Sequence, residues 1–196
     1  MGKRDNKHHL DGWVEIDEAF FEAAYPSDKP TKPGRGAKGK GKVLVMVSAE
    51  PIVTKKKKKG KPKTKCKYIS MKVLSDLKTV TIEEAVKQKV KPSSRIVTDE
   101  ANAYNYLHMD YQGHKKVQGS PKEKTAKLPW VHMCISNAKR KLLDIHHCIS
   151  DKYLQRYLDE FCYKLNRRFL SADSMFRLLS HSAATPKWPI ATPQLS

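Results

Sequence analysis

Residues 13–21 read WVEIDEAFF, and this short run decides the fold that the rest of the chain can form. Aromatic and β-branched residues favour a strand here, and a period of two places Val14 and Ile16 on one face with Glu15 and Asp17 on the other. An aspartate in the middle of a buried strand is costly unless its charge is compensated. Two interpretations of this stretch stay open: an edge strand with solvated acids, and a strand that supplies a metal ligand.

A second acid-bearing run favours the metal ligand. Residues 94–100 read SRIVTDE, a short apolar run that ends in Asp99 and Glu100. Two strands that each deliver an aspartate supply the oxygen ligands that a divalent cation prefers. The sequence therefore predicts that Asp17 and Asp99 share a metal site.

The charge balance of the chain points to a polyanionic partner. Its 196 residues carry 39 Lys and Arg against 20 Asp and Glu, a formal net charge of +19. Such an excess favours nucleic acid, with an acidic membrane surface as the rival. No apolar run approaches the roughly 20 residues of a membrane span, so we expect no membrane contact. The lysine run at residues 55–59 would attract phosphate, with Lys55 and Lys57 as candidate DNA contacts.

Composition also bounds the domain organisation. The chain is 39% hydrophobic, enough for a core, and its length fits one domain with tails. We expect a flexible N-terminus over residues 1–12, one folded domain over 13–170, and a short helix with a disordered tail over 171–196. Four scattered cysteines form no C-x-x-C pair, which indicates reduced cytoplasmic thiols in place of a zinc site or disulfides.

The remaining periodicities predict a mixed α/β domain. After the first strand, strands are predicted at residues 43–48 and 68–74, in the run that ends at Asp99, and at 114–118. A helix with Thr81 as N-cap and Glu84 completing a capping box comes before the Asp99 strand, and a short helix at 102–109 and a polar linker at 119–127 come after it. Helices are predicted from Trp130 to about Leu179, with breaks near 146–151 and near Ser171. This order gives a mixed five-stranded sheet flanked by helices, with a helical C-terminal part. It is the element order of the ribonuclease H-like fold, whose first and fourth strands are neighbours and would bring the two aspartates together.

The helix after Pro129 offers a third site residue. Helical spacing places His132, Ser136 and Lys139 on one face, at i, i+4 and i+7. A lone histidine on a helix is more often a packed or surface residue than a ligand. Here the same face carries a cation two turns further on, where a phosphate backbone can be held. We therefore take His132 as the candidate third ligand.

Several of these segments together resemble one protein family. The segments are EIDE at 15–18, GRGAKGK at 34–40, TDE at 98–100, HMCISNAKR at 132–140 and YLDEFCYKLNRR at 157–168. In combination they resemble the bacterial insertion-sequence transposases with an ISXO-type catalytic domain of the DDE superfamily. The resemblance covers roughly residues 13–170.

The resemblance implies a DNA transposase that cleaves double-stranded DNA at insertion-sequence ends and transfers the strand to target DNA. It implies a cytoplasmic, nucleoid-associated protein that can form a homo-oligomer on DNA. Two Mg²⁺ ions would be held by Asp17, Asp99 and His132, and Mn²⁺ would be tolerated because imidazole is a softer ligand than carboxylate. The expected DNA contacts on the two C-terminal helices are Lys139, Arg140, Arg167 and Arg168.

This chain departs from the family pattern at the third site residue and at the N-terminus. The third acid usually stands seven residues before a lysine, and counting back from Lys139 gives His132, an Asp-Asp-His variant with Asn137 as a competing third residue. The family usually carries an N-terminal zinc ribbon, whereas the first catalytic strand here begins at Trp13. We therefore expect a copy without the ribbon, either truncated and inactive or with another way to find its DNA ends.

Two other functions remain open from the sequence. One is a ribonuclease H-like nuclease that cuts without joining. The other is a non-enzymatic basic nucleic-acid-binding protein, which would bind without metal and give Asp17 no role.

Overall fold

The computed structural model describes residues 5, 8–22, 40–52, 64–145, 149 and 151–184. Several predicted features lie outside the described residues. They are Lys55 and Lys57, the GRGAKGK segment up to Gly39, and the predicted tail beyond residue 184.

Five strands form one mixed sheet in the order β3-β2-β1-β4-β5. The strands are β1 (Trp13–Glu22), β2 (Lys40–Pro51), β3 (Thr64–Leu74), β4 (Arg95–Thr98) and β5 (Gly113–Lys116). The β1–β2 and β2–β3 pairs are antiparallel, and the β1–β4 and β4–β5 pairs are parallel. The predicted ribonuclease H-like α/β fold is confirmed, including the adjacency of the first and fourth strands.

Helices cover both faces of this sheet. They are α1 (Thr79–Lys89), α2 (Pro121–Lys127), α3 (Pro129–Ile145), α4 (Asp151–Asn166) and α5 (Ala172–Ala184), with two short 3-10 turns at Asn102–Tyr104 and Leu107–Met109. The predicted helices after Pro129 and the break near Ser171 are confirmed, whereas most of the predicted break near 146–151 lies outside the described residues. The predicted short helix at 102–109 is instead the pair of 3-10 turns.

The central strand β1 carries buried apolar side chains on both of its faces. Val14 and Ile16 pack in one core with residues of α1, whereas Ala19 and Phe21 pack in a second core with residues of α3 and α4. All four side chains are at most 4% exposed. The edge-strand interpretation of this stretch is therefore wrong, and Asp17 lies on a strand that is buried on both sides.

The predicted capping box at Thr81 is wrong. Helix α1 begins at Thr79, and its N-cap residue Lys78 makes no side-chain cap. The hydroxyl of Thr81 instead donates to Asp76 Oδ1 at 2.7 Å, and the same oxygen accepts the Lys78 amide at 3.0 Å. An aspartate that accepts the backbone amide two residues further on forms a turn, and this turn at Asp76 leads directly into α1.

The predicted linker over residues 119–127 is also wrong, because most of it is α2. Ser120 is the N-cap of this helix, Pro121 follows at its first turn, and Ser120 and Glu123 form a capping box. This Ser-Pro-x-Glu pattern is a helix-start signal in the sequence itself.

Two residues of the N-terminal segment, Asp5 and Leu10, are packed on the fold. Leu10 is 1% exposed and forms a parallel bridge with Val90 after α1. Asp5 is buried, and its carboxylate pairs with the guanidinium of Arg167. Within the part of the chain that the structure describes, no helix is long and apolar enough to cross a membrane.

Candidate active site

The sheet register brings Asp17 and Asp99 together. The parallel β1–β4 ladder pairs Trp13 with Arg95 and Glu15 with Val97. Continuing that register by two residues places Asp17 of β1 opposite Asp99, which directly follows β4. The sequence prediction that these two acids meet rests on this strand order.

His132 on α3 lies against Asp17. Its Nδ1 atom is 3.8 Å from Asp17 Oδ2, and the two side chains are 31% and 16% exposed. Its other ring nitrogen, Nε2, is buried and has no hydrogen-bond partner. Burial lowers the pKa of His132 despite the opposing effect of Asp99, which favours the neutral ring that can act as a ligand.

The three predicted site residues line one depression of about 230 Å³. The remaining lining residues are Gly119, Lys124, Thr125 and Leu128, which come from α2 and its two ends. The competing third residue, Asn137, is exposed on α3 and is not among the lining residues. Since it follows His132 by five residues, it lies well off the face that points to Asp17.

The depression carries concentrated negative charge. Burial, followed by the neighbouring Asp99, raises the pKa of Asp17 from 3.8 to about 6, although the Glu18 amide and Lys124 oppose the shift. That amide donates to Asp17 Oδ1 at 2.9 Å. Burial is also the largest cause that raises the pKa of Glu18, with Asp17 and Asp99 adding to it. A bound cation would relieve this mutual repulsion.

Glu15 fixes the helix that carries His132, a role that the sequence prediction missed. Its Oε2 atom accepts the amides of Trp130 at 2.8 Å and Val131 at 2.9 Å, in the first turn of α3. Burial nevertheless raises the pKa of Glu15 from 4.5 to about 7. A carboxylate at a helix N-terminus satisfies amides that lack a partner within the helix and interacts favourably with the helix dipole. The sequence signal for this role is that Glu15 stands two residues before Asp17 and therefore lies on the same face of the strand.

The residues of the depression suit a divalent metal ion in chemical type. Asp17 and Asp99 supply carboxylate oxygens, and the unpartnered ring nitrogen of His132 shows a donor whose hydrogen-bonding capacity the fold leaves unused. Among the described residues, no three such groups are already close enough together to hold an ion. The three side chains therefore fit a divalent metal ion in donor type and charge, and they would have to move closer together to bind it.

The predicted DNA-contacting residues divide into two groups. Arg140 is exposed on α3, and the ammonium of Lys139 lies 5.7 Å from the centre of the Phe21 ring. In contrast, Arg167 pairs with Asp5 Oδ1 at 2.6 Å and stacks on Tyr163 at 3.7 Å.

Arg168 is also engaged within the fold. Its guanidinium donates to the backbone carbonyls of Cys66, Lys67 and Leu165. Arg167 and Arg168 therefore tie the end of α4 to the rest of the fold.

These features define the class of protein: a ribonuclease H-like α/β domain with two aspartates and a histidine at one depression beside the central strand. The ISXO2-like transposase domain family matches residues 9–166. The chain belongs to this family of insertion-sequence transposases of the DDE superfamily. Neither a curated protein nor a solved structure shows significant similarity to the chain.

Proposed function

We propose that this chain is a metal-dependent DNA transposase that cuts strands at insertion-sequence ends and joins them to target DNA. The observation that carries the proposal is the convergence of Asp17, Asp99 and His132 on one depression, within a chain of the transposase family. Paired carboxylates in a half-buried site are suited to hold divalent cations, most simply Mg²⁺.

Each site residue has a distinct task in this proposal. Asp17 is ionised above its pKa of about 6 and supplies the negative charge that binds cations at neutral pH. Asp99 supplies the second carboxylate, and the neutral ring of His132 supplies a nitrogen donor. Divalent ions held by these groups would activate the attacking hydroxyl and stabilise the leaving oxygen of an in-line phosphoryl transfer.

The DNA backbone would be held along α3. Lys139 follows His132 by seven residues, or about 10 Å along the helix, and its ammonium can hold a phosphate as a point charge. The exposed Arg140 can contact a neighbouring phosphate. We leave Arg167 and Arg168 out of the proposed interface, because their guanidinium groups are engaged within the fold.

The test is nicking of a labelled insertion-sequence-end duplex in Mg²⁺ and in Mn²⁺, with DNA binding measured in parallel. Asp17→Asn removes the charge that holds cations while keeping the side-chain shape, so metal-dependent cleavage should be lost with binding nearly intact. His132→Ala should also cripple cleavage. His132→Glu should retain part of it, because it restores the ligand type that the resemblance leads us to expect.

Two outcomes would contradict this proposal in different ways. Cleavage at wild-type rate by Asp17→Asn would end it, because the nicking would then not depend on the charge that is proposed to hold the cations. Cleavage without joining of the 3′-end to target DNA would instead identify a nuclease of the same fold.

A further inference from the structure

Helix α2 brings a lysine ammonium to the acids of the candidate site. Lys124 Nζ lies 3.6 Å from Asp99 Oδ2 and 3.7 Å from Glu100 Oε2. The Lys124 side chain is 26% exposed, and it lines the same depression as Asp17 and His132. A positive charge therefore already stands beside one of the two carboxylates that the proposed metal site needs.

Lys124 is held in this position by a well-defined helix start. The Ser120 amide donates to Glu123 Oε2 at 2.7 Å, and the Glu123 amide donates to Ser120 Oγ at 3.4 Å. The preceding Gly119 has φ +128°, a backbone conformation that other residues rarely adopt, so the turn into the helix favours glycine. At the C-terminal end of α2, the side chain of Leu128 is fully buried.

The ammonium and a divalent metal ion would compete for the same carboxylate. An Asp99 oxygen that is paired with Lys124 must give up that pairing, or share it, when a metal ion binds there. The net charge of the depression also matters, because two cations close together repel one another in a half-buried site. Lys124 should therefore stabilise the metal-free site and weaken the binding of metal.

We propose that Lys124 is an internal counter-cation that stands in for the metal at Asp99 in the metal-free protein and must be displaced when the metal binds. This proposal rests on the metal site of the proposed function. A phosphate of bound DNA would offer the displaced ammonium a new partner, so that DNA binding would favour metal binding through Lys124.

The first experiment measures Mn²⁺ affinity without DNA, by titration followed with the spin-resonance signal of the free ion. Lys124→Met keeps the length and much of the bulk of the side chain but removes its charge. We expect it to bind Mn²⁺ about tenfold more tightly than the wild type, which corresponds to about 1.4 kcal/mol. Lys124→Arg, which keeps the charge, should stay within about threefold of the wild type.

The second experiment measures thermal unfolding with and without Mg²⁺. Without metal, Lys124→Met should unfold at a lower temperature than the wild type, because Asp99 and Glu100 lose their counter-charge. Added Mg²⁺ should raise its midpoint by more than it raises that of the wild type. The matched control is Lys122→Met, an exposed lysine on the same helix, which makes the same change in net charge.

The outcomes separate this inference from the function on which it rests. If Asp17→Asn binds Mn²⁺ as tightly as the wild type, the metal does not bind at this site and both proposals fail. If Asp17→Asn loses Mn²⁺ while Lys124→Met binds it no more tightly than Lys122→Met does, the metal site stands and the role of Lys124 is refuted.

Discussion

Asp17 lies between buried aliphatic side chains on the central strand, and burying its charge costs free energy in the absence of a cation. Ile16, which precedes it, and Ala19, which follows it on the same face of β1, are at most 4% exposed. The Glu18 amide donates a hydrogen bond to Asp17 Oδ1 at 2.9 Å. Such a residue is suited to a site that is completed by a ligand, because a metal ion can add to the partial compensation of its charge by the Glu18 amide and Lys124.

Because the charge of Asp17 is buried, the free energy of unfolding should depend on pH. The pKa of Asp17 is raised from 3.8 to about 6, so the folded state binds the proton more tightly than the unfolded state does. The contribution of a raised carboxyl pKa is fully present below the unfolded value and is lost as pH rises through the folded value. The free energy of unfolding of the metal-free protein should therefore fall between about pH 4 and pH 6, by about 3 kcal/mol from Asp17.

Urea unfolding in the presence of a chelator measures this effect. Asp17→Asn cannot ionise, so its stability relative to the wild type should increase as pH rises from 4 to 6 and then stay constant. Asp144→Asn, at an exposed position on α3, serves as the control and should show no such trend. A pH-independent difference between Asp17→Asn and the wild type would mean that burial of the Asp17 charge is not costly.

At the scale of secondary-structure elements, the contact between β1 and α3 decides whether His132 faces the acids. Glu15 binds the first turn of α3 through the Trp130 and Val131 amides. Glu15→Leu removes the acceptor and leaves the buried Val131 amide and the partly buried Trp130 amide without this partner, at a cost of up to about 1–3 kcal/mol for each. The burial penalty of the Glu15 charge disappears at the same time, so we expect a net loss of about 1–3 kcal/mol at pH 7.

The positional effect of Glu15 is measured through His132. Glu15→Leu should shift the ring resonances of His132 in a heteronuclear spectrum, whereas Glu15→Gln keeps an oxygen acceptor and should shift them less. Glu84→Leu, at an exposed position on α1, is the control for the stability measurement. Unchanged His132 resonances in the folded Glu15→Leu variant would show that Glu15 holds the helix without positioning the histidine.

Local sequence patterns predicted these elements unevenly. The sequence contains the capping box at Ser120, but the polar composition of residues 119–127 predicts a linker. Because that helix was missed, the approach of Lys124 to Asp99 could not be predicted. The role of Glu15 depends on a contact between residues 115 positions apart, and strand periodicity gives only the face on which the acid lies.

At the scale of the whole molecule, the strand order was predictable, and it carries most of the site. The meander of β1, β2 and β3 followed by the parallel strand β4 places Asp17 beside Asp99 without any further detail. The sequence constrains the packing of α3 against the sheet less closely than it constrains the strand order. His132 followed from helical spacing and from the family resemblance, whereas its 3.8 Å approach to Asp17 depends on the tertiary fold.

The net charge of +19 leads to the last prediction, which concerns the whole molecule. Each phosphate that the protein neutralises releases condensed counterions, which gives a slope of about −0.9 in log affinity against log salt. Replacing Lys55–Lys59 with serine should make that slope shallower by about one for every lysine that contacts a phosphate. Cleavage at saturating DNA should persist, because the proposed catalytic groups lie elsewhere in the chain.

Lysines that are already paired within the protein provide the matched control. Lys65, Lys78 and Lys87 pair with Glu50, Asp76 and Asp110 at 2.9, 3.9 and 2.9 Å. A triple serine variant of these lysines should change the slope less per charge removed, since their carboxylate partners offset their attraction for phosphate. Equal changes per charge in the two variants would show that DNA responds to net charge alone, whereas a larger change for Lys55–Lys59 would assign that run to the DNA contact.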